Sequence, residues 1–119
     1  MTKERKRILV TGGAGNIGTN LCNELRSRDH KVIALDLYNT ERDHYVRCDI
    51  QKYRQLEYVF DEFGPFEYVY HLAAEYGRWN GEDFYENLWQ TNNMGTKHIL
   101  KMQEKLNFRH IFFSSAEVY

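Results

Sequence analysis

Apolar residues in this chain fall into short runs and stripes that alternate along its length. Arg7-Ile8-Leu9-Val10-Thr11 is a continuous apolar run that stops at glycines, the pattern of a strand buried on both faces of a parallel sheet. From Asn16 to about Ser27, Ile17, Leu21 and Leu25 recur at helical spacing and predict a helix with one apolar stripe. Lys31–Asp36 predicts a second strand, and Tyr45–Asp49 a weaker third. Leu56, Val59, Phe60 and Phe63 share one face of a helix expected from about Lys52 to Phe63, and Gly64-Pro65 ends it. A fourth strand is expected over Glu67–Leu72. Beyond a polar loop around residues 77–81 comes a long helix, roughly Glu82–Leu106, and then a fifth strand over Arg109–Ser114.

Strands that alternate with helical segments imply an α/β domain, a parallel sheet with right-handed crossovers and helices on both faces. Sheets of this kind bind ligands at the carboxyl ends of their strands. Chemistry is therefore expected at residues 11–18, 36, 49, 71–76 and 114–119.

Composition narrows the class. The 119 residues fit one domain, and a chain of that size buries roughly two-thirds of its unfolded surface. With 42% hydrophobic residues and a single proline, disorder is not expected. Sixteen basic and 17 acidic side chains leave a net charge of −1, which argues against nucleic acid as a partner. The basic cluster Lys3, Arg5, Lys6 and Arg7 reads as a solvated lead-in to the first strand. No apolar stretch approaches the ~20 residues of a membrane span, and no signal peptide precedes the first strand, so a soluble cytoplasmic domain is expected. Cys22 and Cys48 lack the spacing of a zinc site and read as buried small apolar residues. His71 reads as a packed strand-end histidine, because the other four histidines form no metal-ligand spacing with it.

Thr11-Gly12-Gly13-Ala14-Gly15-Asn16-Ile17-Gly18 lies between the first strand and the first helix. Gly12, Gly15 and Gly18 fit G-x-x-G-x-x-G, and Gly13, Gly15 and Gly18 also fit G-x-G-x-x-G. Glycines there allow a tight turn and a close approach of backbone to a pyrophosphate, while the helix N-terminus offers free N–H groups to the anion. Asp36 ends the second strand, where an acid takes the ribose hydroxyls of NAD and repels the 2′-phosphate of NADP. Arg42 lies near enough in sequence to host a phosphate, but the acid favours NAD.

These residues resemble the extended short-chain dehydrogenase/reductase family, specifically its NAD-dependent nucleotide-sugar epimerases and dehydratases. The resemblance spans nearly the whole chain. It rests on Thr11–Gly18, Asp36, Asp49-Ile50, His71-Leu72-Ala73-Ala74, Asn92-Asn93-Met94-Gly95-Thr96 and Ser114-Ser115-Ala116-Glu117-Val118-Tyr119. It implies a Rossmann-like sheet, here with its first five strands, that binds NAD through Gly12, Gly15, Asn16, Ile17, Gly18 and Asp36. It further implies that Asp49 hydrogen-bonds the adenine amino group with Ile50 flanking the ring. By the same resemblance, Leu72, Ala73 and Ala74 pass under the cofactor, Asn92 orders the active site, and Ser115 hydrogen-bonds the reacting oxygen of a nucleotide sugar. Glu75, Arg78 and Trp79 fall where the family places residues near substrate.

Two departures qualify the resemblance. The dehydratases carry Thr-Asp-Glu-Val-Tyr where this chain has Ser115-Ala116-Glu117, and Ala116 cannot protonate a leaving hydroxyl, which favours epimerase or simple oxidoreductase chemistry. Glu117 is left as an acid/base candidate, with an outward-facing turn residue as the equal alternative. The family's Y-x-x-x-K pair is also missing: none of the nine tyrosines has a lysine four residues on, and Tyr119 belongs to the strand-end motif. Loss of such a general base is typically worth about 10²–10⁴-fold in rate. The chain is therefore expected to be the cofactor-binding, N-terminal part of a longer enzyme, without the substrate domain and inactive alone. The helix over residues 82–106, with Phe84, Tyr85, Leu88 and Trp89 on one stripe, is expected to pair in a homodimer. The rival readings are a non-catalytic NAD-binding or regulatory module and an engineered half-domain.

Overall fold

The computed structural model describes residues 5–14, 16–37, 44–72 and 94–112, without the side chains of Asn16 and Phe112. In chain order the elements are β1 (Arg7–Thr11), α1 (Asn16–Ser27), β2 (Lys31–Asp36), β3 (Tyr45–Arg47), α2 (Tyr53–Phe63), β4 (Tyr68–His71), α3 (Gly95–Leu106) and β5 (Arg109–Phe112). The five strands form one sheet in the order β3-β2-β1-β4-β5, and every pairing is parallel. The chain winds outward from β1 in both directions, so a topological switch point falls between β1 and β4. Register brings Thr11 beside both Leu35 and His71, and His71 beside Phe112, which aligns the carboxyl ends along one edge.

The central strands are buried on both faces, as their unbroken apolar runs require. Leu9, Ile33, Leu35 and Val69 point to one side and pack with Leu56, Val59 and Phe60 of α2 and with Ile99 and Met102 of α3. Ile8, Val10, Val32 and Ala34 point to the other side, against Cys22 and Leu25 of α1. Phe60 stacks on Phe108 and meets the edge of Phe66, which closes the first cluster at the bottom of the sheet.

Each helix stops for a local reason. At the end of α1, Asp29 adopts φ 67°, its N–H donates to the Arg26 carbonyl, and His30 N–H reaches back to Leu25. That pair of bonds is the Schellman arrangement, with aspartate in the place glycine usually takes. Gly64 caps α2 by donating to Phe60 O, where Gly64-Pro65 predicts the stop. Asn107, at φ 58°, ends α3.

Three boundaries differ from expectation. β3 ends at Arg47, because Cys48 and Asp49 leave the ladder for a turn. β4 is Tyr68–His71, one residue shorter at each end than the apolar run suggests. Of the basic lead-in, Lys6 pairs with Glu67 at 3.3 Å, and Arg7 donates to the Phe63 and Pro65 carbonyls, so these two are structural rather than merely solvated. The expected helix over residues 82–93 and the end of the fifth strand lie outside the described residues. Among the described residues no helix is long and apolar enough to cross a membrane.

Candidate dinucleotide site at the carboxyl edge of the sheet

The turn after β1 is shaped by its glycines. Gly12 sits at φ 76°, a conformation that costs an L-residue roughly 1 kcal/mol or more, and its N–H and that of Gly13 both donate to Leu35 O. Gly18 lets α1 start against this turn: a Cβ there would fall 2.1 Å from Gly12 O, inside backbone that has no room to move. Thr19 Oγ1 adds a hydrogen bond to Gly13 O at 3.3 Å. Ile17, at the first turn of α1, is 62% exposed although it lies on the helical stripe.

Asp36 belongs to the same structure. Its Oδ2 accepts the N–H of Ala14 at 3.1 Å and its Oδ1 that of Leu37 at 2.7 Å. The carboxylate therefore braces the glycine turn from the neighbouring strand, and each oxygen keeps a lone pair for a further donor such as a ribose hydroxyl. Asp36 O in turn accepts the Cys48 N–H, which sets Asp49 beside it at the sheet edge. Asp49 makes a turn: Oδ1 accepts Gln51 N–H at 3.0 Å, and its own N–H donates to Gln55 Oε1. Ile50 is 4% exposed and packs in the core, so its side chain offers a base little surface and acts by fixing the turn.

The switch point is held by a buried polar chain. His71, 2% exposed, lies 2.8 Å from Thr11 Oγ1 through Nδ1 and 3.1 Å from Thr96 Oγ1 through Nε2. Thr11 Oγ1 also accepts the N–H of Leu72. With that hydroxyl giving its proton to Nδ1, the ring carries its own proton on Nε2 and donates it to Thr96, the tautomer these three bonds favour. Burial pushes the His71 imidazole down to about 4, and His110, whose ring centroid is 5.8 Å away, pushes it further the same way. His71 is thus a neutral brace joining β1, β4 and α3, in line with the packed histidine expected from sequence.

Cys22 and Cys48 are buried as expected, and burial, aided by the Asp49 carboxylate, drives the Cys48 thiol up to about 12. No group of acidic, cysteine and histidine side chains among the described residues could hold a metal. A groove of about 180 Å³ lies among Gly13, Thr19, Cys22, Arg26 and Tyr45. Ligand pockets usually span about 300–1,000 Å³, so this groove is too small to seat a dinucleotide.

Of the residues singled out in the sequence, Gly12, Ile17, Gly18 and Asp36 come together at the turn, Asp49 and Ile50 lie beside them, and Leu72 leaves β4 at the switch point. Gly15, Ala73, Ala74, Asn92 and Ser115 lie outside the described residues, as do Arg42, Glu75, Arg78, Trp79, Ala116, Glu117 and Tyr119; of Asn16 only the backbone is described. Sequence reasoning quotes Thr11 and Thr96 only as members of motifs and gives neither them nor His98 a role of its own. A polar residue on the buried stripe of a helix, as His98 is among Gly95, Ile99 and Met102, signals a hidden partner.

Comparison with known proteins agrees with this geometry. The chain is 30% identical, over 98% of its length, to UDP-glucuronic acid decarboxylase 1 of Danio rerio, and covers 29% of that protein. Its fold matches the Thermus thermophilus UDP-glucose 4-epimerase solved with NAD, with a TM-score of 0.80 and 28% identity over 92% of this chain and 37% of the other. It also matches a monomeric L-threonine 3-dehydrogenase from a metagenome, with a TM-score of 0.79 and 36% identity over 87% of this chain and 34% of that one. The chain thus spans 29–37% of the length of these relatives. Residues 8–119 match the NAD dependent epimerase/dehydratase family, and the chain belongs to that family.

Proposed function

We propose that this chain is the NAD-binding part of an enzyme that transforms a nucleotide sugar through transient oxidation to a keto-sugar, an epimerase or a related dehydratase. The observation that carries the reading is the glycine turn braced by Asp36: a backbone cradle that a side chain at Gly18 would fill, with an acid beside it. Those residues fit a dinucleotide. Gly12, Gly15, Asn16, Ile17 and Gly18 would face the pyrophosphate at the α1 N-terminus, Asp36 would accept from the ribose hydroxyls, and Asp49 would accept from the adenine amino group. Leu72, Ala73 and Ala74 would run beneath the nicotinamide side, and Asn92 would order that region. NAD, when bound, accepts a hydride from a sugar carbon and gives it back.

The rest falls to side chains. Ser115 would hold the reacting sugar oxygen at the carboxyl end of β5. A general base is also required: Glu117 is the candidate within these residues, where no tyrosine has a lysine four positions on. Ala116 in place of an acid favours epimerisation over loss of water. The proposal includes a cytoplasmic, membrane-free homodimer paired through the segment 82–106, in whose described part, α3, Leu100 and Leu106 are 48% and 49% exposed.

The likeness to L-threonine 3-dehydrogenase favours a second reading, an amino-acid oxidoreductase, because the cofactor half is shared while substrate is selected elsewhere. The test is to incubate the protein carrying this chain with NAD and UDP-glucose, UDP-glucuronic acid or L-threonine, and to follow products by NMR. Conversion of a UDP-sugar to a stereoisomer of the same mass, without net NADH, supports the epimerase reading. NADH formed from L-threonine alone would replace it, and NAD binding with no turnover of any substrate would favour a non-catalytic module.

A further inference from the structure

We propose that His98 is a positioning residue for the adenine end of the cofactor: from α3 it holds the Asp49–Ile50 turn where that turn meets the base. The inference rests on the reading of this chain as the NAD-binding part of an enzyme. His98 is polar yet only 8% exposed, and its Nδ1 lies 2.7 Å from Ile50 O. A carbonyl only accepts, so Nδ1 carries the proton and the ring donates it across 48 residues of sequence. One turn earlier on the same helix, Gly95 admits the Ile50 side chain: a Cβ there would fall 2.4 Å from Ile50 Cδ1. Two positions of α3 therefore grip one residue, one by its side chain and one by its carbonyl. Tyr53, which opens α2 just after the turn, sets its ring edge-on to His98 at 5.5 Å, and Lys101 lies over the Tyr53 ring.

The turn so gripped is the one that presents Asp49. Its local bonds, to Gln51 and Gln55, shape it but do not fix its height against the sheet. The Cys48 N–H to Asp36 O bond anchors one side, and His98 anchors the other. A carboxylate selects an amino group only when held within hydrogen-bonding distance and angle, so loosening the Ile50 carbonyl should reduce selectivity for the base more than overall affinity.

The experiment measures dissociation constants for NAD and for its hypoxanthine analogue, in which a carbonyl replaces the adenine amino group. The unaltered protein should prefer NAD by about tenfold, the worth of one hydrogen bond to a charged group. His98→Gln, whose amide lies one methylene further out, should bring the two constants to within about twofold, while His98→Asn, whose amide nitrogen reaches as far as Nδ1, should keep the preference. Gly95→Ala, which presses on Ile50 without altering His98, should also erode it. General damage to the fold would weaken both dinucleotides alike and leave their ratio unchanged. An unchanged ratio in His98→Gln, or in Gly95→Ala should the first variant not fold, overturns the proposal. Equal binding of both dinucleotides by the unaltered protein would overturn it with the Asp49 assignment but leave NAD binding standing. Binding of neither would overturn the functional reading itself.

Discussion

Replacing His71 with glutamine isolates the energetic effect of burying a neutral histidine at the switch point. In the folded protein the ring titrates at about 4, against 6.5 for a free histidine. Below the free value the unfolded chain takes up a proton that the folded chain refuses, so stability falls as pH falls. The effect is absent well above pH 7, reaches about 2 kcal/mol at about pH 5 and about 3 kcal/mol at about pH 4, and levels off below the folded value. His110, the titratable neighbour across β4 and β5, is itself shifted downward by burial and adds to the same trend, so the comparison must be made between proteins that both retain it. His71→Gln keeps an amide that can reach a threonine hydroxyl but cannot titrate, and it should lose about 1–3 kcal/mol at neutral pH from imperfect bonding. Urea unfolding of both proteins at about pH 7.5 and about pH 5 gives four free energies. The wild type should lose about 2 kcal/mol more than the variant across that interval. Equal losses in the two proteins would refute the account of His71 as a buried neutral brace.

Other expectations follow from the same contacts. Gly18→Ala puts a methyl group against the Gly12 carbonyl at 2.1 Å; it should lower stability by about 1–3 kcal/mol in thermal unfolding and abolish dinucleotide binding, and wild-type binding would contradict the tight packing of α1 on the turn. Cys48, buried and with its thiol raised to about 12, should not react with a disulfide reagent at about pH 8 in the native protein, whereas both cysteines should react in denaturant. Leu56→Ala removes a side chain with no exposure from the larger core and should cost about 2–5 kcal/mol, read from the urea midpoint.

Much of this fold is legible from sequence because its punctuation is local. β1, α1 and β2 lie where the apolar run, the helical stripe and the glycines put them, since each boundary is set by residues within a few positions. β3 is shorter than its apolar pattern because Asp49 bonds to Gln51 in a turn, a competition that alternation does not reveal. The glycine turn and Asp36 are legible as a cofactor signature, but that Asp36 also braces Ala14 is not. Least legible are the buried polar pairs. Thr11 and His71 lie 60 positions apart, and His98 and Ile50 lie 48 apart. Such partners are chosen by strand order and helix packing, so sequence announces that a buried polar residue needs a partner without saying which.

Calorimetric titration of NAD into the protein, with NADP and Asp36→Ala as comparisons, tests the central claim most directly. The account predicts saturable NAD binding, NADP weaker by about tenfold or more, and a comparable loss in Asp36→Ala. A folded protein that takes up neither dinucleotide, or one that binds NAD equally well without the Asp36 carboxylate, would contradict it.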